Sequence, residues 1–73
     1  MQEIEVVVTN GFITLGQLLK RLNVVSTGGA AKTFLETKAV YVNHQRETRR
    51  GRKLYPGDLV VCPDRGTWRI RGE

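Results

Sequence analysis

Cysteine and histidine are nearly absent from this 73-residue chain: Cys62 and His44 each stand alone. One cysteine cannot close an internal disulfide, so the fold is no disulfide scaffold, and a reducing cytoplasm is the expected setting. Cys62 ends an apolar run and reads as a small core residue. One histidine and one cysteine far apart in sequence do not make a metal site, so neither a metal nor another cofactor is expected. Long apolar runs are missing as well. Val6-Val7-Val8 and Leu59-Val60-Val61-Cys62 fall far short of the ~18 residues of a membrane span, so no membrane contact is expected. No charged n-region followed by an apolar h-region opens the sequence, which argues against a secretory precursor. Acids are scarce, seven against twelve bases, and show no pairing that suggests acid–base chemistry. Length sets a further bound. The expected organisation is one domain, residues 1–73, burying only roughly 60% of its unfolded surface. So small a core leaves little for a deep catalytic pocket, and no enzyme is expected.

What is present is concentrated. Residues 46–53 hold five bases, Arg46, Arg49, Arg50, Arg52 and Lys53, against the single acid Glu47, for a net +4. The rest of the chain holds the other seven bases and six acids, for a net +1. A domain that is near neutral apart from one dense basic loop suits a localised polyanion. Nucleic acid fits best, because phosphate neutralisation with counterion release supplies much of the affinity in such contacts. The alternative is a solvated turn that happens to be basic.

Periodicity places the elements. Ile4, Val6 and Val8 alternate on one face of a strand over 3–8. Asn10-Gly11 is a turn. Thr14 then caps a helix over about 14–22, with Gln17 completing a capping box and Ile13–Leu18 a hydrophobic staple. Leu15, Leu18, Leu19 and Leu22 make its apolar stripe, and Lys20 and Arg21 fall off it. Ser26 or Thr27 caps a second helix that runs to Thr37 or Lys38 and buries Ala31, Phe34 and Leu35. Val40 and Val42 mark a strand, Asn43-His44 a tight turn, and Gln45–Thr48 an antiparallel return. Tyr55-Pro56-Gly57-Asp58 has Pro and Gly where a type II turn requires them. Leu59–Cys62 and Thr67–Arg71 are strands, the latter with Trp68 and Ile70 on one face and Arg69 and Arg71 on the other. The order β-α-α-β-β-β-β gives an α+β fold, two short packed helices against a small antiparallel sheet.

Gly28 and Gly29 fall in the first turn of the second helix, where each costs up to roughly 1 kcal/mol relative to Ala. Two readings account for that cost. Their bare N–H groups at a helix start can approach a phosphate, with Lys32 one turn further on; or the glycines permit close helix–helix packing. A nucleotide-binding P-loop is excluded, since Ala31 and Ser26 stand where that motif requires glycine. Tyr41, exposed by alternation, and Tyr55, beside the basic loop, are open either to base stacking or to packing over a turn.

The run from Thr14 to Val61, about two-thirds of the chain, resembles the small RNA-binding domain named after ribosomal protein S-four. The carrying residues are the helix pair Leu15–Leu22 and Gly28–Thr37, Val40-Tyr41-Val42-Asn43, and Pro56-Gly57-Asp58-Leu59-Val60. Ser26-Thr27-Gly28-Gly29 with Lys32, and Glu47 to Leu54, are similar to short stand-alone bacterial members that lack a catalytic domain. Two positions depart from the larger members: Thr27 stands where they carry Arg after the Ser, removing one usual phosphate contact, and His44 replaces the Gly of their Asn-Gly turn. The resemblance implies the alpha-L RNA-binding motif, a core over 14–61 with flanking strands 3–8 and 67–71. It implies RNA binding through Thr27, Gly28, Gly29 and Lys32 together with Arg46, Arg49, Arg50, Arg52 and Lys53, with Lys20 and Arg21 at the edge. The expected partner is structured RNA, ribosomal RNA in particular, met on the ribosome or an assembly intermediate by a cytoplasmic monomer. An adaptor docking an acidic protein through the same loop, or a DNA-binding regulator, are the alternatives.

Overall fold

The computed structural model describes residues 3–73. The alternation at the start of the chain becomes β1, Glu3–Val8, which buries Val6 and Val8 and leaves Ile4 exposed. A turn with Gly11 at φ 88° leads into β2, Ile13–Thr14, and directly into α1, Leu15–Arg21. The capping box closes as expected: the Gln17 N–H donates to Thr14 Oγ1 at 3.2 Å, and the Thr14 N–H donates to Gln17 Oε1 at 3.0 Å. Leu15, Leu18 and Leu19 are fully buried. The helix ends in a Schellman arrangement. Asn23 takes the left-handed conformation at φ 60°, its N–H donates to Lys20 O, and the Val24 N–H donates to Leu19 O.

Thr27 caps α2, Gly28–Thr37, through the Ala30 N–H, which donates to Thr27 Oγ1 at 3.0 Å. Ala31 and Leu35 are buried in the core shared with α1, and Phe34 is half-buried beside it. β3, Tyr41–Val42, and β4, Gln45–Arg46, form a hairpin whose turn residues Asn43 and His44 both have positive φ, 52° and 70°. That is the left-handed pair a two-residue type I′ turn needs. β5, Lys53–Leu54, β6, Leu59–Cys62, and β7, Gly66–Gly72, complete the chain. Cys62, Trp68 and Ile70 are buried, while Arg69 and Arg71 point outward to Glu3 and Glu5 at 2.9 and 2.8 Å.

The α+β architecture is as the periodicity indicates, with two refinements. The five-stranded sheet runs β1-β7-β6-β3-β4 and is mixed: β1 pairs parallel with β7, from Glu3 opposite Thr67 to Val8 opposite Gly72. The other pairs in this sheet are antiparallel; hairpins fix that sense for β3–β4 and β6–β7, whereas most of the chain separates β1 from β7 and no hairpin dictates their sense. A second sheet pairs β2 with β5, Ile13 opposite Leu54 and Thr14 opposite Lys53. Strands of two residues carry no periodicity, and these two fall within stretches read as a helix start and a loop end. One core cluster joins both helices to both sheets. Among the described residues, no helix is long and apolar enough to cross a membrane.

Candidate nucleic-acid interface

The basic loop is ordered by its only acid. Glu47 is 6% exposed beneath the segment, and its carboxylate accepts five hydrogen bonds. The donors are the backbone N–H groups of Thr48 (3.1 Å) and Arg49 (3.0 Å), Arg49 Nε (3.0 Å) and Nη2 (3.1 Å), and Arg52 Nη1 (2.9 Å). The Arg49 hydrogen bonds hold the Glu47 carboxyl down to about 2, against the opposing effect of burial, with Arg52 adding to them. The Arg52 N–H donates to Arg49 O at 3.2 Å and closes the turn. The Arg49 side chain remains 72% exposed although its Nε and Nη2 are held by Glu47. The loop is thus a preformed turn.

It is also fastened to α1 and reaches the start of α2. The Leu15 N–H donates to Arg52 O and the Gly16 N–H to Arg50 O, each at 2.8 Å. Those are the unpaired amides of the first turn of α1, capped here by loop carbonyls. Gly16 makes the approach possible: a Cβ there would lie 3.2 Å from Arg50 O and 3.3 Å from Arg50 Cβ. The Arg50 side chain then extends to the start of α2, where Nη1 lies 2.9 Å from the position a Gly28 Cβ would occupy. Basic loop and second-helix start therefore form one continuous surface.

The α2 start differs from the α1 start in its open amides. Thr27 Oγ1 takes the Ala30 N–H and Thr27 O takes that of Ala31, whereas the N–H groups of Gly28 and Gly29 have no acceptor among the described residues. Two donors without a protein acceptor, the positive end of the helix dipole and the Arg50 guanidinium converge there. Lys32 is exposed one turn on. A cation beside a helix N-terminus is unfavourable by itself, so this arrangement favours an anion as third party.

The remaining candidates are more dispersed. Lys20 and Arg21 occupy the C-terminal end of α1, away from the loop-capped end, and Arg21 Nη1 donates to Val7 O at 2.9 Å. Arg46 is exposed on β4, an edge strand. Lys53 Nζ lies 5.0 Å from the Phe12 ring centroid. Tyr41 is half-buried and Tyr55 exposed. Among the described residues, no group of three or more His, Cys, Asp and Glu side chains is placed to hold a metal ion.

The two glycines have separable roles. A Gly28→Ala side chain must displace the Arg50 guanidinium, whereas a Cβ on Gly29 meets nothing nearer than Thr27 Oγ1 at 4.0 Å. Gly29→Ala is expected to raise thermal stability by up to about 1 kcal/mol through helix propensity. If the open amide meets a phosphate, the same variant binds RNA more weakly. Higher stability with unchanged affinity would assign Gly29 no part in the interface.

The motif residues of the β3–β4 turn and the Pro-Gly-Asp turn prove to be a single junction. Asn43 Nδ2 donates to Asp58 Oδ1 at 3.0 Å, and Asn43 Oδ1 accepts the Leu59 N–H at 3.0 Å. Asp58 Oδ2 accepts the Tyr55 N–H at 2.8 Å, and Gly57 has φ 98°, completing the type II turn. Residues 6–71 match the profile of the S4 domain. The chain belongs to the S4 domain family. The probable ribosome maturation protein RlbA of Bacillus subtilis (strain 168) is 48% identical over 58 residues, which are 80% of this chain and 82% of that protein. Asn43 and Asp58 thus tie the β3–β4 turn to the turn that precedes β6.

Proposed function

We propose that this chain is a non-catalytic RNA-binding module that recognises structured RNA, ribosomal RNA foremost, in maturation of the ribosome. Membership of the S4 domain family and the similarity to a probable ribosome maturation protein support the RNA partner and the assembly role. The observation that carries the mechanism is the seating of Arg50 over Gly28 while its carbonyl caps α1, because it joins loop and helix start into one anion-binding face. A phosphate at the α2 start meets the Gly28 and Gly29 amides, the helix dipole, Arg50 and Lys32 together. Arg49 and Arg52, held by Glu47, and Arg46 and Lys53 flanking them, engage neighbouring phosphates. A rigid surface matches phosphates whose spacing is fixed by RNA structure, so recognition is by shape, and base-pair sequence in the deep, narrow major groove is not read. The module works as a cytoplasmic monomer.

In-cell crosslinking followed by sequencing tests the assignment. Recovery of ribosomal RNA fragments joined to the loop and the α2 start supports it. Adducts to protein alone would replace it with an adaptor that docks an acidic partner through the same loop.

A further inference from the structure

Two aromatic rings at the edge of this surface serve no purpose in the core. Phe12 is 39% exposed and Tyr55 49% exposed, and neither belongs to the core cluster. They flank the short second sheet, Phe12 just before Ile13 and Tyr55 just after its partner Leu54. Their ring centroids lie 5.9 Å apart with the planes tilted by 48°, so the rings form an open wedge and do not cover one another. Lys53, the last base of the basic loop, places Nζ 5.0 Å from the Phe12 centroid, within cation–π range. Phe12 also walls a cleft of about 310 Å³ whose lining includes Asn10, Gln17 and Arg21. The Gln17 Oε1 is held by the Thr14 N–H, which leaves its amide hydrogens for a ligand.

The combination selects a ligand class. Exposed aromatic faces favour a planar ring, the cleft offers amide groups to the edge of such a ring, and Lys53 with Arg21 requires negative charge close by. A nucleobase with its own phosphate meets all three conditions. A base within a duplex stem is stacked and out of reach, so the base must be unpaired. We infer that Phe12, Tyr55 and Lys53 form a stacking site for one unpaired nucleobase of the RNA whose phosphates the basic loop holds, an inference that rests on the RNA-binding reading above. The site gives the module a mark to find on structured RNA, a bulged or looped-out nucleotide beside a helical phosphate array.

The test compares two RNA hairpins with the same stem, one fully paired and one carrying a single unpaired 2-aminopurine. The wild-type protein is expected to prefer the bulged hairpin by about 5- to 100-fold, with quenching of the 2-aminopurine fluorescence on binding. Phe12→Leu and Tyr55→Leu retain apolar cover over the short sheet, and their folding is verified by circular dichroism. Each is expected to reduce the preference and the quenching while binding the fully paired hairpin as wild type does. Equal wild-type binding to both hairpins, or a preference untouched by both leucine variants, would overturn the stacking site and leave the phosphate surface intact. Failure of the wild type to bind either hairpin at low salt would overturn the RNA reading, and the stacking site with it.

Discussion

Replacing Glu47 by alanine is expected to lower the melting temperature by roughly 10–20 °C, the largest stability effect of any single polar substitution in this domain. The carboxylate accepts five hydrogen bonds and organises two arginines that would otherwise repel. Removing one partner of a buried ion pair is strongly destabilising, but Arg49 is largely exposed and rehydrates, so a loss of about 2–3 kcal/mol is appropriate. In so small a domain each kcal/mol moves the melting temperature by about 4–8 °C. The pH dependence has a definite sign. The folded-state pKa of Glu47 is depressed from 4.5 to about 2, so its contribution is complete above pH 4.5 and is lost as the pH falls toward 2. The stability gap between wild type and Glu47→Gln should therefore be full at neutral pH and close across that acid window, as followed by urea unfolding. A gap that stays constant from pH 6 to pH 2 would show that the Glu47 carboxylate is not what holds the loop.

Arg50→Ala is expected to weaken RNA binding on the order of tenfold, similarly across RNA sequences, with an unchanged melting temperature. Arg50 has no carboxylate partner among its described hydrogen bonds and ion pairs, so its removal leaves the Glu47 network intact. The logarithmic salt dependence of binding should fall by roughly 0.7–0.9 for the lost phosphate contact. The triple change of Arg49, Arg50 and Arg52 to Ala should remove about three times as much slope. It also strands the Glu47 carboxylate, so a fold defect would accompany it. Combining the triple change with Glu47→Gln separates the two effects, because no charge is then left buried without a partner. An unchanged salt slope in that quadruple variant would reject the loop as the phosphate site.

The sequence discloses those parts of the molecule whose pattern is local. The capping box of Thr14 and Gln17, the Thr27 cap, the type II turn at Gly57 and the in–out alternation of Trp68 to Arg71 each depend on residues within one turn or one strand, and each stands where its spacing indicates. Contacts between distant segments are not legible in the same way. The parallel pairing of β1 with β7, and the two-residue strands β2 and β5, have no periodicity to betray them. Gly16 carries no signal as a helix glycine, because its reason is the Arg50 carbonyl arriving from far along the chain. Glu47 is the clearest case. Within a basic run it reads as a charge to be subtracted, yet it is the buried centre on which the run is folded. A lone acid flanked by arginines at mixed spacings was the only available sign. Charge counting marked residues 46–53, whose ends Arg46 and Lys53 lie in β4 and β5, but it could not reveal that Arg49 and Arg52 share a counterion while Arg50 does not.

If the basic loop and the α2 start act as one rigid face for structured RNA, competition binding will reveal it. A folded ribosomal RNA fragment bound to the protein is challenged with an unstructured RNA strand of equal length and with an acidic polypeptide of like charge. The folded fragment is expected to outcompete both, Lys32→Ala and Arg50→Ala each to narrow its advantage, and the two changes together to be non-additive because they share one phosphate cluster. Equal competition by the unstructured strand or the acidic polypeptide would contradict it and leave only a non-specific polyanion contact.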